Sequence, residues 1–588
     1  MRISDYYAKY FANMGVKYVF GVTGSGTAVQ MFDSIAMCDG INYVCTLHEQ
    51  AGAMAADGYA RISGGIGVAI ATSGPGVTNL VTGIAGAFYD SIPVIYIVGQ
   101  AQTDWLKKDS GLRHFGYHET DVIELLRPIT KYVVQINDPS KARYELEKAV
   151  HIATTGRKGP VVLCLPDDIT WLEIEPEKLE GYIPEKENTG TINGLDKCIN
   201  MMLASERPIL MIGAGVRLAG AGRETMKLIE LLKWPVALTY PMRDFLPDNY
   251  EGNIGSFGMQ GSRGGNFAVQ NSDFILSIGA RLDPYQTGSP ASYFARGAKV
   301  VSVDVDRKEL DKYRGYDIPC DLAICCDAKD FIKTLVNNLF SHEASLRACV
   351  EWKERIERWR AKYPICLPQY FAEEKINPYV VVHYLSEHLS DDDIIITDTS
   401  TPRNYIYQSF RFKKNQRLAT MLNFACLGYG LPGAIGACFA TYGRVISFMG
   451  DGGLQLNIQE LATAVYHNLN LKIFLFDNDG YSNIQKAQDG FLGSRYEATD
   501  REHGLPLPDS AAIAGAYGLP TIEIYRNNQI EPAIQKVLGM DGPVFCSLHL
   551  SIKHGVFPVR KGRDPLENMT PHLDQDEFLN EMIITPII

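Results

Sequence analysis

Short runs of β-branched and other apolar residues alternate with stretches of helical spacing along most of the chain, the pattern of parallel sheets covered by helices. Residues 18–22, 67–71, 93–98 and 161–165 are near-continuous apolar runs, as strands buried on both faces should be. A polar stretch at 179–194 (LEGYIPEKENTGTING) then interrupts the alternation and predicts a linker. The pattern resumes with strands predicted at 209–212, 274–278 and 300–305. The charged segment 343–362 (EASLRACVEWKERIERWRAK) predicts a solvated connecting helix. A third series has strands predicted at 394–397, 445–448 and 472–476, and the polar, proline-marked residues beyond 560 predict a tail lying over the surface. The predicted fold class is α/β, with parallel sheets flanked by helices in three units at 1–180, 195–340 and 377–560. They are joined by a linker at 181–194 and a connecting helix at 341–376, and followed by a tail at 561–588.

Length agrees with that division, since 588 residues exceed what one core supports. With 46% hydrophobic and 21% charged residues the balance is that of a soluble globular protein. A net charge of −12 argues against a broad electrostatic grip on nucleic acid or an anionic membrane. The first fifteen residues mix Arg2, Asp5 and Lys9 with aromatics and hold no apolar signal core, and the apolar runs are too short to cross a bilayer. The twelve cysteines include no C-x-x-C, which predicts reduced, mostly buried thiols and a cytoplasmic protein.

Candidate chemistry concentrates in turns after predicted strands. Gly450-Asp451-Gly452-Gly453 follows the strand at 445–448, and Asp477-Asn478 follows the next one. A carboxylate, an amide oxygen and a backbone carbonyl near Gly480 are the oxygen ligands magnesium prefers, and glycines let the backbone approach a diphosphate. By itself the G-D-G tripeptide is equally a tight strand-to-helix turn. Glu49, in Leu47-His48-Glu49-Gln50, enters a helix of small residues where a flat ligand can pack closely, or it serves simply as a helix-start acid. His48 reads as a structural neighbour. Thr72-Ser73-Gly74-Pro75-Gly76-Val77-Thr78-Asn79 is another strand, glycine loop and helix, suited to a phosphate or merely to turning the chain.

Taken in order, these segments resemble the thiamine-diphosphate enzymes of the acetolactate synthase group. HEQAGAMAADGYAR, TSGPGVTN, GRKGPVVLCLPDD, GLPGAIGA and GDGG…QELATA…DN match that group's segments. The resemblance implies a pyrimidine-binding domain, a central domain and a diphosphate-binding domain. It implies that Glu49 bonds the cofactor's pyrimidine nitrogen and drives the proton transfer that activates the thiazolium carbon. It further implies that Asp451, Asn478 and the Gly480 carbonyl hold Mg2+. Thr72, Pro75, Asn79, Ser400, Thr401, Gly450, Gly452, Gly453, Tyr481 and Ser482 would line the cofactor, with Leu427 propping its bent shape.

In the central unit, Gly213-Ala214-Gly215 and Gly279-Ala280-Arg281 follow strands, and Asp304 ends another. Such glycines and a strand-end acid suit a dinucleotide, although a lone G-x-G is a weak signal. The set resembles the FAD site of the flavin-containing members, which also implies Arg157, Thr239, Gly258, Met259, Asp283 and Asp327. The flavin's role would be structural.

The chain departs from acetolactate synthases at several positions. Tyr285 stands where the group has the arginine that engages the second 2-ketoacid, and Ala487 where it has a tryptophan. His118 replaces a glutamine and Asp167 a lysine. A closed pocket without a cation disfavours a carboxylate acceptor. The sequence therefore predicts a decarboxylating carboligase passing a two-carbon unit from pyruvate or a similar 2-ketoacid to a ketone without a carboxylate. Its resemblance to the thiamine flavoenzymes that build branched-chain deoxysugars implies a nucleotide-linked ketosugar as that acceptor. His118 and Asn483 are the candidates for orienting the acceptor carbonyl. The alternatives are acetolactate synthase itself and a cyclic-diketone hydrolase of the same superfamily. The resemblance also implies a homodimer or homotetramer whose active site is shared between chains.

Overall fold

The computed structural model describes residues 1–185, 192–340, 349–550 and 554–587. Three all-parallel sheets organise the chain. The first has the spatial order Asn42–Cys45, Tyr18–Gly21, Gly67–Ala71, Val94–Gln100, Val161–Pro166 and Tyr132–Gln135. The third repeats that order with Arg417–Ala419, Ile394–Thr397, Val445–Gly450, Leu471–Asp477, Val544–His549 and Thr521–Ile524. Between them in sequence, a sheet of Leu322–Cys325, Lys299–Asp304, Phe274–Ile278, Pro208–Ile212 and Val236–Leu238 forms the central unit. The α/β expectation holds. The central strands are fully buried apolar runs, whereas Tyr132–Gln135, Leu322–Cys325 and Thr521–Ile524 sit at sheet edges with half-exposed faces. These edge strands carry too little apolar signal to be told from loops.

The first and third units pack through the Glu49–Ser63 and Gly430–Ala440 helices, both rich in glycine and alanine. A Cβ at Gly436 would lie 1.9 Å from the Ala55 carbonyl oxygen, and one at Gly58 2.2 Å from the Gly433 carbonyl oxygen. Beside this contact Arg61 pairs with Asp57 at 2.6 Å and Asp90 at 2.8 Å, and the Tyr429 hydroxyl donates to Asp57 at 2.8 Å. Because backbone cannot retreat as a side-chain tip can, Gly436→Ala is expected to destabilise the protein by about 1–3 kcal/mol. An unchanged denaturant midpoint would show that the two helices do not meet this closely.

Several expectations need correction. The connecting helix, Val350–Lys362, is amphipathic rather than solvated. Trp352, Ile356 and Trp359 are buried, and the Trp359 ring lies 5.6 Å from that of Phe267. Residues 341–348 of the predicted connector and 186–191 of the predicted linker lie outside the described residues. The tail does not simply lie over the surface. Leu566, Glu567 and Met569 are buried, and Glu567 accepts from Gln270 at 2.6 Å and pairs with Arg296 at 2.7 Å. No cysteine forms a disulfide among the described residues, but only Cys164, Cys198 and Cys546 are buried, while Cys45 and Cys325 are exposed. Among the described residues no helix is long and apolar enough to cross a membrane.

Candidate active site

In open parallel sheets, ligands bind beyond the carboxyl ends of strands where the strand order reverses. In the third sheet that point lies between Ile394–Thr397 and Val445–Gly450. The turns leaving these strands carry Asp398 to Thr401 and Gly450 to Gly453, and the neighbouring strand delivers Asn478. The sequence-predicted diphosphate and metal residues therefore converge at one switch point.

Their packing is specific. The Asp451 carboxylate accepts the Gly452 amide at 2.8 Å and the Gly480 amide at 2.9 Å. Burial, reinforced by neighbouring Asp477, pushes the Asp451 carboxyl up to about 7. A Cβ at Gly452 would lie 2.1 Å from the Tyr481 ring, and one at Gly453 2.6 Å from the Asp398 carboxylate. The Asn478 side-chain nitrogen donates to the Ser482 hydroxyl at 3.0 Å, while its Oδ1 is buried without a hydrogen-bond partner among the described residues. An unpaired amide oxygen beside a desolvated carboxylate is a donor set that suits a hard divalent cation. Among the described residues no group of three or more His, Cys, Asp or Glu could hold a metal, so a cation site here would join the Asp451 carboxylate to amide and backbone oxygens. Ser400 caps the Thr401–Ser409 helix in the left-handed region, with φ 75°, and Leu427 borders the 450–453 turn. Sequence reasoning missed Asp398, which is buried and accepts the Thr399 amide at 2.7 Å and the Gly428 amide at 3.0 Å. Burial raises its carboxyl to about 6. An acid directly after an apolar strand was the available signal.

The first sheet has the same switch point, and there the turns carry Gly24 to Gly26 and Thr72 to Gly76. Glu49 opens its helix behind the His48 cap, whose ring nitrogen accepts the Gln50 amide at 3.1 Å. The Asn79 amide donates to Glu49 at 2.9 Å, and Glu49 Oε1 lies 3.5 Å from where a Gly76 side chain would begin. Thr72 donates to the Ser25 carbonyl at 3.0 Å, and Pro75 is exposed. His118, at φ 62°, backs onto Gly74, and its Nδ1 is buried without a hydrogen-bond partner among the described residues. Asp167 accepts the Thr27 amide at 2.9 Å, and burial raises its carboxyl. Asn483 and Ala487, four apart on the Ser482–Leu492 helix, share its exposed face.

In the central sheet the order reverses between Pro208–Ile212 and Phe274–Ile278, so the turns at Gly213 to Gly215 and Gly279 to Arg281 meet. Gly279 has φ 61°, and a Cβ on it would lie 2.7 Å from Gly215. A cavity of about 420 Å³ there is lined by Arg157, Ala214, Gly215, Gly279, Arg281, Asp304 and Asp327, and Ala280 is buried beside it. A second cavity, of about 300 Å³, shares Arg281 and continues past Asp283 and Tyr285. Gly258 and Met259 border it, the Met259 amide donating to the Tyr285 carbonyl at 2.9 Å. Some predicted flavin residues have local duties. Arg157 pairs with Asp306 at 3.0 Å and Glu309 at 2.8 Å, Asp283 and Asp327 cap short and long helices, and buried Thr239 donates to the Ile212 carbonyl.

Two parallel sheets of the same strand order thus present glycine turns at matching switch points, one with Glu49 and the other with Asp451 and Asn478. Residues 1–125, 195–335 and 398–548 match the models for the N-terminal thiamine pyrophosphate-binding, central and C-terminal thiamine pyrophosphate-binding domains of thiamine pyrophosphate enzymes. A probable acetolactate synthase large subunit of Methanocaldococcus jannaschii is 34% identical over 550 residues, 91% of this chain and 89% of that protein. The acetolactate synthase of Arthrospira platensis is 31% identical over 94% of this chain and 95% of its own length. Acetolactate synthase isozyme 3 large subunit of Escherichia coli K12 is 30% identical over 90% of each chain. The chain belongs to the acetolactate synthase-like family of thiamine-diphosphate enzymes, and is a carboligase of that type.

Proposed function

We propose that this protein is an acetolactate synthase, joining the two-carbon unit of pyruvate to a second 2-ketoacid. The observation carrying this reading is the collinear similarity to acetolactate synthases over nine-tenths of the chain, with 34% identity to one of them. The expectation of a neutral or nucleotide-linked ketone acceptor rested on the departures at Tyr285, Ala487, His118 and Asp167, and the comparisons favour the 2-ketoacid alternative.

Bound thiamine diphosphate would supply an electron sink for the carbanion that decarboxylation leaves. The chain's own residues would do the rest. Glu49, oriented by Asn79, holds the proton exchanged with the cofactor's pyrimidine nitrogen. Asp451, Asn478 and the Gly480 carbonyl hold Mg2+, while Ser400, Thr401 and the 450–453 turn hold the diphosphate. The larger central cavity, of about 420 Å³ and lined by Asp304, would take FAD in a structural role. A second copy would complete the site, as the resemblance to the acetolactate synthase group implies.

The test is incubation of the pure protein with thiamine diphosphate, Mg2+ and pyruvate, with and without 2-ketobutyrate, and mass analysis of products. Acetolactate, and acetohydroxybutyrate when 2-ketobutyrate is present, are expected, from a yellow protein that releases FAD on denaturation. No carbon–carbon product from either mixture would sink the synthase reading. A colourless, fully active preparation would remove the flavin.

A further inference from the structure

We propose that Arg403 takes the place of the missing arginine at position 285 and binds the carboxylate of the acceptor 2-ketoacid, an inference that rests on the synthase reading above. Arg403 lies on the Thr401–Ser409 helix and is only 5% exposed. Its polar contacts are two long ones, from Nη1 to the Leu422 carbonyl at 3.5 Å and from Nη2 to the Tyr285 hydroxyl at 3.4 Å. Nε has no hydrogen-bond partner, and no carboxylate lies within ion-pair distance among the described residues. The nearest acid on the same wall, Asp283, is turned to the Tyr285 and Gln286 amides at 2.8 and 3.3 Å. A buried cation without an anion costs several kcal/mol, so such a group is retained where a ligand supplies the charge.

Its surroundings point to the same ligand. The guanidinium lines a cavity of about 300 Å³ together with Tyr240, Phe257, Tyr285 and Tyr407. It sits between two aromatic rings, 5.8 Å from that of Tyr240 and 5.7 Å from that of Tyr285. Neither ring supplies an anion, so a planar carboxylate in the cavity would give the guanidinium the charged partner it lacks. The tyrosine thus replaces the arginine in sequence, while its hydroxyl accepts from a second arginine that the fold brings beside it.

The test uses the full-length holoenzyme. In Arg403→Gln, the ratio of kcat/KM for 2-ketobutyrate to that for acetaldehyde as acceptor is expected to fall about 10–100-fold, the worth of one charge-assisted bond. Arg403→Lys should recover part of it, because the charge returns without the fork. A readout without turnover comes from the Glu49→Gln background, where calorimetric binding of 2-ketobutyrate should weaken by a similar factor when Arg403→Gln is added. An unchanged acceptor ratio with unchanged binding overturns the proposal. So does a variant whose flavin retention or spectrum changes while the acceptor ratio stays put, since Arg403 would then serve the flavin. Absence of any carboligation by the wild type would instead fault the synthase reading.

Discussion

Glu49→Gln is expected to lower turnover by about 10²–10⁴-fold, the usual worth of one placed acid–base group, while thermal stability stays near that of the wild type. Glutamine has almost the same shape, and its oxygen can still accept the Asn79 amide that now meets Glu49 at 2.9 Å. The His48 cap, which starts the helix, does not involve the Glu49 side chain. What the substitution removes is the capacity to exchange a proton. Steady-state kinetics at saturating thiamine diphosphate and Mg2+, with a melting curve on the same preparation, make the comparison. Ordinary turnover would place the proton relay elsewhere.

Asp451→Ala is expected to abolish the stabilisation that thiamine diphosphate and Mg2+ confer together. At a hundredfold excess over Kd that stabilisation is about 2.7 kcal/mol in the wild type, and in the variant the melting temperature should no longer respond to the cofactors. The apo variant should also lose about 1–3 kcal/mol, because the Gly452 and Gly480 amides lose their acceptor. Mixing this chain with the Glu49→Gln chain adds a sharper outcome. If the site is shared across a two-fold interface, half the dimers are hybrids with one intact site, and activity should return to about a quarter of the wild-type level. Chain exchange without recovered activity would refute the shared site, and an unchanged cofactor-dependent shift in Asp451→Ala would refute the metal assignment.

Much of this was legible in the residues. The buried central strands announce themselves because burial on both faces demands uninterrupted apolar runs, as at 67–71 and 473–476. The glycine turns were legible because close backbone approach excludes a side chain, and they proved to sit where the strand order reverses. The amphipathic Val350–Lys362 helix was misread because its three inward residues are outnumbered by charges, and only packing against Phe267 shows which face counts. The tail was misread because Glu567 is polar in sequence, yet buried against Gln270 and Arg296 nearly three hundred residues away.

By itself, then, the sequence determined the α/β class, the three units and the local chemistry of each turn, because strand burial and glycine geometry are properties of contiguous residues. It could not decide the charge of the cavity beside Tyr285. Tyr285 read alone means a lost cation, whereas the folded chain brings Arg403, 118 residues distant, to its hydroxyl. Pocket electrostatics are set by whichever groups converge in space, and that convergence is decided only when the central and third units pack together.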